Sequence, residues 1–392
     1  MVVVLACATA AGCDSAGTVT RPDEFGLSPG KERPSALPLN NPSFTSGAAA
    51  AYMHPDDAVV GVVVRGKPRA YPWWYVVNYH VINDTVVVSD QSIPGVIPSA
   101  TNDAWSQYEH YPPANDPRDP YIPLLVTLCE ACSGASAYIP IVDTKLDNPL
   151  IFAQCRSQGS SAGSYTAVGV YTICDMQSHS RWHPFTGEAN SGPLAGKHLQ
   201  RIPVSVEKWS DWLKLWPSTV VAVAAREMRV RTHARLRGNF MGAKGMHPTL
   251  RKWMNENPGL VDSRVPINTM VLGIKSHNEN KSLAYPLATL KQVGGVDQLE
   301  FEGKPYLFIV AGTFRGAVFH RYNNGVALDM AVESSQPLML RDQTDTVWNE
   351  LGEAISGPNQ GDRLKMVNDA YLAEWSEWIM EHPGAEIVVK EQ

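Results

Sequence analysis

The 392-residue chain is 18% charged and 44% hydrophobic, with a formal net charge of −6 at pH 7. At about 150 residues per domain, this length predicts two or three domains with ample apolar material for their cores. The composition excludes a wholly disordered chain, and 30 glycines with 29 prolines are too few for a collagen-like one. No apolar run approaches the roughly 18 residues that cross a bilayer, which excludes a polytopic membrane protein. The mildly acidic balance argues against a nucleic-acid partner, because nucleic-acid-binding domains are usually basic.

The first thirteen residues form an apolar stretch that ends in Ala10-Ala11-Gly12-Cys13. This ending resembles the lipobox of bacterial lipoproteins, in which the cysteine is lipidated and becomes the new N-terminus. We therefore expect a signal segment at 1–13, lipidation at Cys13, and an exported, periplasmic or otherwise cell-envelope protein anchored to a membrane by its lipid. The stretch lacks Lys and Arg and is short for a signal peptide, so an upstream start or a buried apolar strand are the alternatives. Residues 14–56, rich in Ser, Gly, Pro, Ala, Thr and Asn, predict a flexible tether.

An internal repeat is the strongest organisational signal in the chain. Residues 187–199 read GEANSGPLAGKHL and residues 352–364 read GEAISGPNQGDRL, with eight of thirteen positions identical. Further matching blocks follow in the same order: Ala70-Tyr71-Pro72 with Ala284-Tyr285-Pro286, Trp182 with Trp348, and Trp209-Ser-Asp-Trp212 with Trp375-Ser-Glu-Trp378. These matches predict a tandem duplication, with a first unit at 57–224, a basic connector at 225–267 and a second, degenerate unit at 268–392.

Each unit is predicted to be a β-rich α+β domain with short amphipathic helices. Val59–Val64 is a β-branched run, and Ala70-Tyr71-Pro72 follows it as the expected start of a helix. Short β-rich segments come next, and 204–216 carries apolar residues at helical spacing, before a buried strand at 220–224. The short β-rich segments are 121–129, 134–141, 149–155 and 165–174.

A series of motifs in the chain resembles the family catalogued as domain of unknown function 3179. The motifs are Ala70-Tyr71-Pro72, His80-x-x-Asn83-Asp84, Thr127-x-Cys129-x-x-Cys132, Asp175-x-x-Ser178-x-Ser180-x-Trp182 and Thr186-Gly187-x-Ala189. The resemblance covers roughly 55–389, and a degenerate second half is also typical of the family. Glu130-Ala131 replaces the usual Pro-Leu, and Ser178 replaces a Thr. The resemblance implies no particular chemistry, so the function has to be inferred from the residues of the candidate site.

Cys129, Cys132 and His80 are the sharpest candidate site. A Cys-x-x-Cys pair places two sulfurs within reach of one ion and an imidazole supplies a third ligand, which suits zinc or copper. The same pair is equally typical of a thiol redox centre, and a structural disulfide or buried free thiols are the non-functional alternatives. Ser133 follows Cys132, which excludes covalent haem attachment. Because Ala311 and Phe314 replace the cysteines in the second half, we expect one site, with His80 close to the pair.

Further candidate ligands surround Trp182. They are Asp175, His179 and His183, whose second-half counterparts are expected to be Arg341, Asp345 and Asn349. The turn-rich composition predicts that this segment is a loop, where a lone histidine is more often solvated than a ligand. Glu188 and Glu353 persist in both halves and are therefore expected to be structural.

The remaining features favour structural interpretations. The Arg- and Lys-rich stretch 226–252 is a phosphate, lipid-headgroup or acidic-partner surface, or more simply a solvated linker; the linker is favoured, and no nucleic-acid binding is expected. The Trp-x-x-Trp pairs predict core packing. Nucleotide-binding, Ser-His-Asp and metalloprotease motifs are absent.

The leading hypothesis is an exported lipoprotein with one metal-binding or thiol redox site, and the rival is a non-catalytic scaffold or accessory subunit of a membrane-associated complex. The roles of Cys155 and Cys174 stay open.

Overall fold

The computed structural model describes most of the chain between residues 34 and 389. The described residues are 34–36, 38–87, 121–129, 134–142, 149–155, 172–223, 255–256, 258, 265–276, 281–312, 314–335 and 337–389. Cys7, Cys13, Cys132 and the basic stretch 226–252 lie outside these ranges, so the predictions made for them stay predictions.

Strands make up most of the described chain. The strands before residue 224 are β1 (Pro34–Ala36), β2 (Leu39–Asn40), β3 (Phe44–Ser46), β4 (Ala58–Val64), β5 (Lys67–Pro72), β6 (Val81–Val87), β7 (Tyr121–Cys129), β8 (Gly134–Ile139), β9 (Phe152–Cys155), β10 (Thr172–Asp175), β11 (Arg181–Trp182), β12 (Ala189–Ser191), β13 (Gln200–Ile202), β14 (Val204–Lys208) and β15 (Val220–Ala222). Those after residue 265 are β16 (Met270–Lys275), β17 (Ser282–Pro286), β18 (Val296–Phe301), β19 (Lys304–Ala311), β20 (Phe314–His320), β21 (Tyr322–Asn323), β22 (Val326–Ala327), β23 (Met330–Ser335), β24 (Leu338–Asp342), β25 (Val347–Asn349), β26 (Ala354–Ser356), β27 (Ala370–Glu374) and β28 (Glu386–Ile387).

The helices of the described part are short. They are α1 (Trp73–Tyr79), α2 (Trp209–Leu215), α3 (Leu287–Gln292) and α4 (Trp375–Glu381), with a 3-10 turn at Gly47–Ala49. The β-rich α+β fold predicted from the sequence is therefore confirmed. None of these helices has the length and apolar character that crossing a bilayer requires.

An eight-stranded sheet combines strands from both halves of the chain, in the order β18-β19-β20-β14-β4-β5-β15-β3. The halves meet at the antiparallel pair of β14 and β20, where Ser205 faces Arg315 and Val206 faces Phe314. In a corresponding way, β27 of the second half lies beside β8 of the first half. Each half thus places the strand before its Trp-x-x-Trp helix against a meander of the other half, which brings side chains from distant sequence positions together.

The other strands form smaller sheets. Their orders are β13-β8-β7-β6-β2, β1-β9-β10-β11-β12, β27-β16-β17-β28, β23-β24-β25-β26 and the pair β21-β22. Strands β9 and β10 are neighbours, and a disulfide joins Cys155 to Cys174 across them with a Cα–Cα distance of 5.8 Å. This disulfide gives Cys155 and Cys174 the roles that the sequence left open.

Two predicted helices begin later than expected. Ala70-Tyr71-Pro72 is the end of strand β5, and α1 begins only at Trp73. Residues 204–208 likewise form strand β14, and α2 begins at Trp209. The cross-strand partners override local helical spacing here, because β14 pairs with β4 along its whole length.

The last part of the predicted tether belongs to the folded domain. Strand β1 pairs with β9, β2 pairs with β6, and β3 pairs with β15, so strands from Pro34 onward already belong to sheets. A polar composition did not reveal these strands, because short edge strands draw their stability from backbone pairing more than from apolar side chains.

The Trp-x-x-Trp helices pack at equivalent places in the two halves. Trp212 and Trp378 are each buried to 1% exposure or less. Each indole lies directly over a glycine of the hairpin beneath it, Trp212 over Gly61 and Trp378 over Gly273. The prediction that these tryptophans pack in the core is thus correct. Such recurring contacts accord with a tandem duplication, which itself stays a prediction.

Candidate functional site

His80 lies at the end of helix α1, beside the strand that carries Cys129. Its φ of 59° reverses the chain after the helix, and its carbonyl accepts a hydrogen bond from Leu128 N at 3.3 Å. Cys129 is the next residue, and its Cα pairs with Gly134 on β8. The backbone of His80 is therefore next to the strand end bearing the first cysteine. The Cys129 side chain and residues 130–133, including Cys132, lie outside the described residues, so the sulfur-to-imidazole separation stays a prediction.

The other residues of the first family-like motifs are structural. The Asp84 carboxylate accepts hydrogen bonds from Tyr71 Oη and Arg69 Nη1, each at 2.5 Å. Burial raises the pKa of Asp84, and the Arg69 charge and the Tyr71 hydrogen bond offset this only partly. Asn83 bonds both backbone groups of Phe152, which fixes β9 against β6. These side chains hold β5, β6 and β9 together.

Asp175, expected as a candidate ligand, closes a turn. Its carboxylate accepts bonds from Ser178 Oγ at 2.8 Å, Ser180 N at 3.1 Å and Trp182 Nε1 at 2.9 Å. Asp342 makes the same bonds with Thr344, Thr346 and Trp348 in the second half. The counterpart of Asp175 is therefore Asp342 and not Arg341, because the second-half turn is one residue shorter.

The two histidines of this segment have different surroundings. His179 sits at a turn position with φ 59°, matched by Asp345 at φ 65°. His183 is 2% exposed, and its Nδ1 accepts bonds from Phe185 N at 3.1 Å and Thr186 N at 2.9 Å. Because Nδ1 is an acceptor, the ring proton lies on Nε2, which is 3.7 Å from Glu381 Oε2. Within the described ranges, no three His, Cys, Asp or Glu side chains form a group that could hold a metal ion.

A buried acid–base cluster surrounds His183 and is built mainly from the second half. The Tyr371 hydroxyl donates to Glu381 and lies 2.9 Å from His382 Nε2. Since Tyr371 has a single hydroxyl proton, this pattern makes His382 Nε2 the donor to Tyr371 Oη. Burial lowers the pKa of His382 to about 4, which keeps the ring neutral near pH 7. Hydrogen bonds that can pass a proton join Tyr371 to Glu381 and His382, whereas His183 Nε2 lies 3.7 Å from Glu381 Oε2, beyond hydrogen-bond distance. These four residues are called the cross-half cluster from here on.

Glu377 lies one helical turn before Glu381 on α4. Burial, with repulsion from Glu381 and Glu374, raises the pKa of Glu377 to about 8. Burial thus favours the neutral form of both Glu377 and His382 at this end of the molecule.

The cross-half cluster lies near the strand end that carries Cys129. Phe185 stacks on Tyr371 with ring centroids 5.2 Å apart and an interplanar angle of 8°. A Cβ at Gly134 would lie 2.9 Å from Phe185 Cε1 and 2.8 Å from the Leu372 carbonyl. Gly134 is the Cα partner of Cys129, so the strand end that carries Cys129 lies one aromatic ring away from the cluster.

The chain matches one known protein family over most of its length. The family described as protein of unknown function (DUF3179) matches residues 35–93 and 120–383. The chain belongs to this family. No curated protein and no solved structure gives a significant match. The family resemblance inferred from the motifs is confirmed. Several motif residues form hydrogen bonds that stabilise turns or join strands: Tyr71, Asn83, Asp84, Asp175 and Trp182.

Sequence reasoning missed the second-half members of the cluster. In this DUF3179 chain, WSDWLKLW at 209–216 corresponds to WSEWIMEH at 375–382. The positions of Glu381 and His382 therefore hold Leu215 and Trp216 in the first half, and Tyr371 corresponds to Ser205. At Glu381 and His382, titratable residues stand where the other half has apolar ones, and this difference was the available signal. It points to a site that one half of the molecule contributes to the other.

Proposed function

We propose that the protein is an exported, lipid-anchored envelope protein with a single thiol redox site at Cys129 and Cys132, assisted by His80. The Cys155–Cys174 disulfide carries this proposal. It uses two of the four cysteines that follow Cys13. Within the chain, Cys129 and Cys132 can therefore form a disulfide only with each other. Disulfides persist in oxidising compartments, which accords with export.

The chemistry assigned to the pair is dithiol–disulfide exchange with a disulfide-bearing partner. One thiolate attacks a sulfur of the partner's disulfide and forms a mixed disulfide, releasing the partner's first thiolate. The second cysteine then attacks its neighbour's sulfur, which releases the second thiolate and leaves Cys129 bonded to Cys132. Two electrons pass to the partner, and the two cysteine protons go to its thiolates. A nearby imidazole favours the thiolate form, since a positive charge lowers a thiol pKa.

Binding of zinc or copper by His80, Cys129 and Cys132 is the second candidate function. The observation that favours it is the hydrogen bond from Leu128 N to the His80 carbonyl, which brings the imidazole-bearing residue beside Cys129. Soft sulfur with imidazole is a donor set that both metals accept.

Thiol counting combined with metal analysis separates these functions. We expect the purified protein to show no free thiol, two after mild reduction, and no stoichiometric metal. Cys129→Ser and Cys132→Ser should each leave one reactive thiol, whereas Cys155→Ser, the matched control, should leave the Cys-x-x-Cys potential unchanged. One zinc or copper per chain, lost in Cys129→Ser and His80→Ala, would establish the metal site instead. Two permanently unreactive thiols without metal would contradict both functions and favour the scaffold hypothesis.

Anchoring is tested separately at Cys13. Cys13→Ser should move the expressed protein from the membrane to the soluble fraction, and the native protein should carry the mass of a lipid. The related substitution Cys7→Ser is the control and should leave the fractionation unchanged. A Cys13→Ser protein that stays on the membrane would contradict the lipid anchor.

A further inference from the structure

Arg201 is a buried arginine that lies beside the cross-half cluster. It sits on β13, opposite Tyr138 on β8, and is 4% exposed. Its guanidinium donates to the Phe185 carbonyl, to Tyr138 Oη at 3.3 Å and to Ser136 Oγ at 3.2 Å. All three acceptors are neutral oxygens.

Two less deeply buried arginines of the described chain have carboxylate partners. Arg69 lies 2.5 Å from Asp84, and Arg315 lies 3.1 Å from Glu350. No carboxylate of the described residues comes within 4.0 Å of the Arg201 guanidinium. Burial lowers the pKa of Arg201, and the more distant Asp369 and the tyrosines offset this only partly. A buried guanidinium without a counter-ion is costly, which is why such charges are usually paired.

One edge of the Arg201 guanidinium, formed by Nε and Nη2, makes few hydrogen bonds. Nη1 carries the bonds to Tyr138 and Phe185, while Nη2 has only the long bond to Ser136 Oγ. Nε is buried and has no hydrogen-bond partner. Nε and Nη2 point their hydrogens to the same side, so together they form the planar two-donor edge that matches a carboxylate.

We propose that the Nε–Nη2 edge of Arg201 binds the carboxylate of a small organic acid, with the Ser136 hydroxyl as a further donor. The anion neutralises the buried charge and satisfies Nε in one step. A bound acid would lie next to Ser136 on β8, whose hydroxyl Nη2 already contacts. This binding needs neither Cys129 nor Cys132, so it can be tested independently of the thiol proposal.

The test uses the full chain, freed of small anions by dialysis, and follows its melting temperature. Sodium acetate and sodium benzoate are the probes, with sodium chloride at matched ionic strength as the reference and inorganic phosphate as the competing anion class. At a concentration 100 times the dissociation constant, a carboxylate should raise the melting temperature by about 3–8 °C, with saturation. Calorimetric titration with the same probe should give one site per chain.

Variants identify the binding group. Arg201→Met should abolish the shift without lowering the melting temperature of the anion-free protein, since it removes an unpaired buried charge. Arg201→Lys keeps the charge but loses the two-donor edge, and should weaken binding at least about tenfold. Arg363→Met, which removes an exposed arginine (58% exposed side chain), is the matched control and should bind normally. Cys129→Ser should also bind normally.

Three results would overturn the proposal. They are no saturable shift with either carboxylate up to about 50 mM, an undiminished shift in Arg201→Met, or a shift with phosphate alone. If Arg201→Met fails to fold, Arg201→Lys decides: unchanged carboxylate affinity in that variant contradicts the two-donor site.

Discussion

Asp342 is the clearest place to test how the turns of this fold are held. Its Oδ1 accepts bonds from Thr344 N at 2.7 Å, Thr344 Oγ1 at 2.6 Å and Thr346 N at 3.1 Å. Its Oδ2 accepts a bond from Trp348 Nε1 at 2.9 Å. The carboxylate is therefore the common acceptor for a turn and for the fully buried Trp348 indole.

The substitution Asp342→Asn keeps the shape and removes one acceptor. If the amide oxygen takes the Oδ1 place, the amide nitrogen faces the indole N–H and two donors meet. Leaving a buried donor without an acceptor costs about 1–3 kcal/mol, and bonds to a charged acceptor are each worth more than those to a neutral one. We expect a loss of about 3 kcal/mol in the free energy of unfolding at pH 7.

The loss should depend on pH in a definite direction. Burial alone raises the pKa of Asp342, but the hydrogen bonds from Thr344, Trp348 and Thr346 outweigh it and lower the pKa below its ordinary value. A carboxylate with a depressed folded-state pKa contributes stability that is fully present above its unfolded pKa of about 3.9 and lost as the pH falls through the folded value. The difference between native and variant should therefore shrink below about pH 4.

Urea unfolding followed by tryptophan fluorescence at pH 7, 5 and 3 measures both effects. Asp345→Asn is the matched control, because Asp345 is three residues away, its side chain is 85% exposed and its nearest cation, Arg341, is 3.9 Å distant. The control should lose about 0.5 kcal/mol or less. Equal losses in the two variants, or a loss in Asp342→Asn that does not change with pH, would refute the reasoning.

Two further predictions concern the second half. Gly273→Ala places a Cβ in the Trp378 indole and should cost about 1–3 kcal/mol by urea unfolding. Gly316→Ala should cost less, because its Cβ would meet only the movable ends of Leu372 at 3.2 Å and Leu272 at 3.4 Å. Equal costs would show that the tryptophan can shift. Glu377 has a pKa raised to about 8, so native stability should fall as the pH rises from about 5 to 8, because the unfolded state gives up its proton first. Glu377→Gln should remove most of this fall, whereas Glu386→Gln, an exposed control, should keep it; a native profile that is flat over this range would contradict the buried, protonated Glu377.

Much of the fold follows from local sequence patterns. Valines at 59–64 predicted a strand, and β4 covers Ala58–Val64. The Trp-x-x-Trp spacing predicted buried helices, and both are found. The errors occurred where pairing between distant segments decides the outcome, as at 204–208, because cross-strand partners are invisible in a local pattern.

Sequence by itself determined the family, the β-rich fold class, the buried tryptophans and the position of Cys129 at a strand end. Only the tertiary structure decided that Asp175 closes a turn, that Cys155 is bonded to Cys174, and that His183 and Arg201 of the first half meet Tyr371, Glu381 and His382 of the second. The physical reason is the exchange of neighbours between the halves. β27 lies beside β8, so side chains about 170–240 positions apart share one buried, poorly solvated space. Such groups acquire unusual pKa values and unpaired charges from their surroundings, which no spacing within one segment records.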